Sequence, residues 1–172
     1  MADLFQNGEY VMYGTYGVCQ ITGTTEQQIG ENRLLYYVLK PVFQQSSTVF
    51  VPLSNRQLTA RLHRVLTRAE LEQLVDSMPG QQPIWTDDET ERRTLFQKIP
   101  TEGNRIDIIR LVKTLYDRQQ ERLAKGKRLH QRDERFFREA DRLLCNEFAF
   151  VLNRKPEEIP AILQRRLASA AG

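Results

Sequence analysis

The stretch EYVMYGTYGVCQITG, Glu9 to Gly23, sets two apolar runs around Gly14-Thr15-Tyr16-Gly17. Two readings compete for it. A phosphate-cradling loop needs its glycines to lead into a helix N-terminus, with a Lys and a Ser or Thr after the last glycine. Here Val18-Cys19-Gln20-Ile21 follows, which reads as a strand. The glycines therefore read as a tight corner between two strands, where a positive φ is tolerated.

Working outward, strands continue. Arg33 to Lys40 (RLLYYVLK) is rich in aromatic and β-preferring residues and follows a turn at Gly30-Glu31-Asn32. Thr48, Val49, Phe50, Val51 and Pro52 form a further short run that stops at its proline, a mark of an edge strand. Such an edge is either merely blunted or open to a partner's strand. Short strands with close turns over about sixty residues predict a small SH3- or Tudor-like barrel.

From Thr67 on, the pattern is helical. Thr67-Arg68-Ala69-Glu70 is a capping box opening a helix to about Ser77. Thr86-Asp87-Asp88-Glu89 is a second, for a helix to about Lys98. Asn104 caps a long helix with apolar positions Ile108, Ile109, Val112, Leu115, Tyr116 and Leu123, ended by Gly126. A helix from Asp133 to about Leu152 carries Phe136, Phe137, Ala140, Leu143, Leu144, Phe148 and Val151 on one face, with Asn153 as a left-handed cap. A last helix lies within 156–168, with Ile159, Ile162, Leu163 and Leu167 apolar; Pro156 and Pro160 both suit its first turn. The expected fold is thus α+β in two domains: a barrel at residues 1–62 and an all-helical domain of about five helices at 63–172.

The 172 residues carry a net charge of +3, unevenly spread. Residues 1–80 hold six basic and seven acidic side chains, and residues 81–172 hold 19 and 15. A basic second half suggests a polyanion partner, mildly. No signal-like leader and no run of membrane-spanning length is present, so a cytoplasmic protein is expected. Cys19 and Cys145 lie in different predicted elements and read as buried thiols; His63 and His130 are too isolated for a metal site. No nucleophile–base pair stands out, so neither catalysis nor a cofactor is expected.

Two features of the helical half point to partners. Trp85, the one tryptophan, is either a core anchor or a planar wedge that stacks on a base at an opened duplex, with Arg92, Arg93 and Lys98 near enough to hold phosphates. Arg128, Arg132, Arg135, Arg138 and Arg142 share a helical arc of roughly 120° beside the apolar face. That stripe either tracks a phosphate backbone or is a solvated face with i,i+4 ion pairs to Glu134 and Glu139.

The runs FQNGEYVMYGTYGVCQITG, LYYVLKPV and STVFVPL resemble the RNA polymerase-interacting module of the CarD/CdnL family, shared with transcription-repair coupling factors. LVKTLYDRQQERLAKGKRLHQRDERFFREADRLLCNEFAFVLN resembles that family's helical domain, in its low-GC Gram-positive form. The resemblance implies a bacterial regulator of transcription initiation and no enzyme. Its barrel would dock by strand pairing on the polymerase β subunit through Thr48–Pro52. Its helical domain would contact promoter DNA, largely irrespective of sequence, at the upstream edge of the transcription bubble and slow the bubble's collapse. Trp85 stands where the family's wedge is expected, with Arg92, Arg93, Lys98, Arg128, Arg132 and Arg135 as DNA contacts. Free in solution, the chain is expected to be a monomer.

Two departures stand against that pattern. Thr86-Asp87-Asp88-Glu89 follows Trp85 where family members often place basic residues, and Phe50 stands where some carry an arginine. A rival reading is an adaptor on the polymerase whose helical domain binds another protein and not DNA. A solvent-facing Trp85 supports the wedge; a ring packed among Ile84, Leu95 and Phe96 supports the adaptor.

Overall fold

The computed structural model describes residues 5–44 and 46–171, with side chains to residue 166; Leu167, expected on the apolar face of the last helix, has its side chain outside the described residues. The chain forms two compact units, Met1–Val65 and Leu66–Gly172.

The first unit is one antiparallel sheet of five strands: β1 (Tyr10–Tyr13), β2 (Val18–Ile29), β3 (Asn32–Pro41), β4 (Val49–Pro52) and β5 (Leu62–Arg64), in the order β4-β3-β2-β1-β5. Gly14–Tyr16 makes a 3-10 turn between β1 and β2, with φ +49° at Gly14 and +73° at Gly17. The Tyr13 N–H donates to the Gly17 carbonyl at 3.0 Å, closing the corner. The glycines thus serve a strand corner, because both sit where a Cβ is disfavoured. Gly30, with φ +65°, opens the two-residue turn joining Ile29 to its partner Asn32. Alternation sends Val11, Tyr13, Cys19, Ile21, Tyr37, Leu39, Val49 and Val51 into one core with Leu62.

The structure corrects one expectation and adds two features to the sheet unit. The barrel is not closed: β4 and β5 remain as the two edges of the sheet. Both are short, and Pro52 leaves β4 without a donor at its end. Residues 56–64, weakly signalled in the sequence, form helix α1 (Arg56–Thr59), capped by Asn55, and then β5, whose Leu62 pairs with Tyr13 of β1. Strand β2 runs well past Thr22, which is the extra residue of a bulge between Ile21 and Gly23.

The second unit holds α2 (Arg68–Ser77), α3 (Glu89–Glu102), α4 (Arg105–Ala124), α5 (Gln131–Leu152) and α6 (Ile159–Ala171). Thr67 caps α2 with both bonds of the capping box, and Asn104 caps α4. Left-handed residues end α3 at Gly103 and α5 at Asn153. A five-residue return bond, Lys127 N–H to the Arg122 carbonyl at 2.8 Å, closes the end of α4 around Gly126. Pro156 opens a 3-10 turn that runs into α6, so each proline sits near a helical start. Helix α3 is capped by Asp88 rather than Thr86, and it carries Pro100 in its last turn instead of stopping before it. On α4, Leu111 joins the core, while Tyr116 and Leu123 are exposed, because the helix outruns the core beyond Leu115.

Helix α5 is the central element, with Ala140, Leu144, Cys145, Phe148 and Ala149 packed against Leu71, Phe96, Ile108, Leu115 and Ile159. Glu147 is buried on it and is held by Arg105, at 2.8 Å, and by the Leu66 N–H at 3.1 Å. Those bonds satisfy a charge that would otherwise be costly to bury. Cys19 and Cys145 are free thiols, each pushed up to about 12 chiefly by burial.

Candidate functional site

In the sheet unit the candidate surface is β4. It pairs with β3 on one side, with Phe50 opposite Val38 and Val51 opposite Tyr37. Its other side is an edge of the sheet. Leu53 N–H donates to the Leu35 carbonyl at 2.9 Å, in register with the ladder. By antiparallel alternation, Val51 and Val49 also bond toward β3, and the N–H and C=O of Phe50 turn outward. Val49 and Val51 bury their side chains, whereas Phe50 is 48 % exposed. Phe50 lies beside Val38 and Tyr36 on the sheet's outer face. At the start of the strand, Lys40 Nζ donates to Thr48 Oγ1 at 2.7 Å. The five residues Thr48 to Pro52 thus offer an outward backbone pair and an apolar anchor, the two needs of strand addition.

In the helical unit the candidate surface surrounds Trp85. The connection from α2 to α3 lies along one face of α4. Lys113 Nζ donates to the carbonyls of Met78, Pro79 and Gln81, at 3.4, 3.0 and 3.2 Å. Arg110 Nε donates to the Gln82 carbonyl at 2.9 Å, and Ile84 N–H donates to Thr114 Oγ1 at 2.9 Å. Arg118, one turn further along the same face, lays its guanidinium 3.6 Å from the centre of the Trp85 ring. Arg92 approaches the ring at 4.4 Å. Trp85 Nε1–H donates to Asp87 Oδ1 at 3.0 Å, and the ring lies 6.2 Å from Phe96, tilted against it. Trp85 is half-buried on the helical core, with Ile84 and Leu95 packed on the same core. It is a packed ring with its surface taken up by arginine, not a free blade.

The predicted basic residues fall into different environments. Arg92 is 8 % exposed and points inward: Nε meets Asp133 Oδ1 at 3.3 Å, and Nη1 donates to the Thr86 carbonyl at 3.1 Å. Those bonds give it a structural role, and only 8 % of it is exposed to solvent. Arg93, Arg132 and His130 rim a shallow cleft between the starts of α3 and α5, over Arg92 and Asp133. Arg132 faces Glu89 there at 3.5 Å. Arg128 precedes α5 and does not belong to its arc; its carbonyl accepts from Arg122 Nε. On α5 itself Arg138 is bonded to Glu134, and that bond holds the Glu134 carboxyl below its usual range. Arg93, Lys98 and Arg135 are exposed, with no acidic partner among the described residues, and Arg128, also exposed, helps hold the Glu134 carboxyl down.

Arg118, Arg110 and Lys113 are absent from the sequence-based site. Their spacing of three to five residues marks one helix face, yet nothing local says that this face holds a loop. Among the described residues no group of three or more His, Cys, Asp and Glu side chains is placed to hold a metal ion, and no helix is long and apolar enough to cross a membrane.

The model of the CarD-like/TRCF RID domain family matches residues 5–66, the sheet unit with the outward Phe50. No curated protein sequence matches the chain.

Proposed function

From the membership of residues 5–66 in the CarD-like/TRCF RID domain family, we propose that the protein regulates transcription initiation, without catalysis of its own. It docks on the bacterial RNA polymerase β subunit and touches promoter DNA at the upstream edge of the bubble. The observation that carries the reading is β4: a sheet edge with an outward backbone pair and an exposed aromatic, inside a domain of the RNA polymerase-interacting type. A cytoplasmic monomer fits this role.

For DNA, Arg93, Lys98 and Arg135 are exposed cations without an acidic partner among the described residues and suited to meet phosphates, and Arg128 is exposed beside Glu134. Trp85 reaches a base only by giving up Arg118. That exchange is affordable: a surface cation–π contact is worth roughly 0.5–1 kcal/mol, and stacking on an unpaired base roughly 1–3. Closed duplex offers no such base face without unstacking, so the ring binds the open state better, and a ligand that prefers one state shifts the balance toward it.

One observation favours the second reading, the adaptor whose helical unit binds a protein instead. Trp85 is packed, and Asp87, Asp88, Glu89 and Glu91 surround the helix start beside it.

The discriminating test is a competitor-challenge decay assay of open complexes on a weak promoter. The DNA reading expects the wild type to lengthen the lifetime. It expects Trp85→Ala to remove most of the gain, and Arg93→Ala with Arg135→Ala to lower DNA affinity and flatten its salt dependence. A lifetime that is the same with and without the bound protein removes the DNA reading and leaves the adaptor.

A further inference from the structure

A groove in the helical unit lies between α2, α5 and α6 and encloses about 780 Å³. That is within the size range of ligand clefts, roughly 300–1,000 Å³. Phe148 and Ile159 close its floor, and Leu152, Ile162 and Leu163 stay half-buried along its walls.

Its rim is charged in a lopsided way. Arg166 is bonded to Glu72 and lies 3.4 Å from Asp76, so those carboxylates are taken. Glu158 accepts from the Lys155 N–H at the start of the turn before α6. Arg68, Arg154 and Arg165 are exposed on the rim, with no partner among the described residues. An apolar trough with three unmatched guanidiniums complements a chain that carries both carboxylates and apolar anchors.

We propose that this groove binds an acidic, amphipathic peptide segment of another protein, its apolar residues in the trough and its carboxylates on Arg68, Arg154 and Arg165. Nucleic acid fits less well: phosphates gain nothing from the apolar walls Leu152, Ile162 and Leu163. The inference gives the adaptor reading a site and a ligand chemistry. It does not depend on β4, which belongs to the other unit.

The probe is a displayed library of random peptides about fifteen residues long, enough for four helical turns, selected on the full-length protein. Selected peptides should be rich in Asp and Glu, with Leu or Phe at helical spacing. Their affinity should fall about tenfold or more on Arg68→Glu, Arg154→Glu and Arg165→Glu combined, three surface pairs reversed. Single Arg→Ala changes at the same positions, with unaltered thermal unfolding, should each weaken binding less. Selection of neutral or basic peptides, no selection at all, or acidic peptides that bind the triple variant equally would overturn the proposal. So would a duplex oligonucleotide that loses affinity on the triple variant while the peptides do not. Binding to a β-subunit fragment should be the same for wild type and triple variant, so failure here is separable from failure of the docking reading.

Discussion

Phe50→Glu should weaken binding to a fragment of the polymerase β subunit by about 2 kcal/mol or more, near 30-fold in Kd. Phe50 is 48 % exposed and points away from the core that takes Val49 and Val51. Its removal therefore costs the isolated fold little, within about 0.5 kcal/mol for a surface change. In the proposed complex the same ring would be the central apolar anchor of a four-residue edge, and burying a carboxylate there would add a desolvation penalty to the lost contact. Calorimetry with wild type and variant, beside matched thermal melts, separates the two quantities. Equal affinities would move docking away from β4.

Arg92→Ala should destabilise the helical unit by about 3–5 kcal/mol, the usual cost of stranding one charge of a buried pair. Asp133 is 4 % exposed, and Arg92 is its partner across 41 residues of sequence. The same side chain also bonds the Thr86 carbonyl and lies over Trp85, so its loss loosens the approach to α3 as well. The position of Asp133 in the first turn of α5, where the helix dipole favours a negative charge, puts the loss toward the lower end. Arg93→Ala, one residue on and exposed, should stay within about 0.5 kcal/mol of wild type. Urea unfolding of the two variants measures this contrast. A loss below about 1 kcal/mol for Arg92→Ala would mean that the ion pair does not hold the unit.

The elements most legible in the sequence were those set by local chemistry. Thr67 and Glu70 specify a cap within four residues, and Gly126 and Asn153 mark ends that need a left-handed backbone. Strand β1 is apolar enough to be read whole. What escaped was set at a distance. Strand β5 has three residues and no alternation to show; it exists because β1 offers an edge. The outer half of β2, Thr24 to Gln28 before the exposed Ile29, is polar on both faces because it extends beyond the core as a hairpin arm. Pro100 stays in the last turn of α3, with only Thr101 and Glu102 after it, although the bond its N–H would have given is missing.

The site divides in the same way. Thr48 to Pro52 announced an edge strand through its length and its proline, and it lies at the edge of the sheet. Trp85 and Arg92 were legible as neighbours but not in their roles. The partners that fix them, Arg118 and Asp133, come from α4 and α5, and in the sequence both look like ordinary charges on solvated helix faces.

The central claim is that β4 adds a strand to the polymerase β subunit, and amide hydrogen exchange at Phe50 tests it most directly. In the free protein the Phe50 N–H faces away from β3 at an exposed position, so it should exchange quickly. In complex with a β-subunit fragment it becomes a ladder bond, and its exchange should slow by at least about tenfold, as for an opening made roughly 1.4 kcal/mol less favourable. Val49 and Val51, already bonded toward β3, should change less. Protection at Leu62–Arg64 on the opposite edge, with Phe50 exchanging as fast in the complex as in the free protein, would contradict the account.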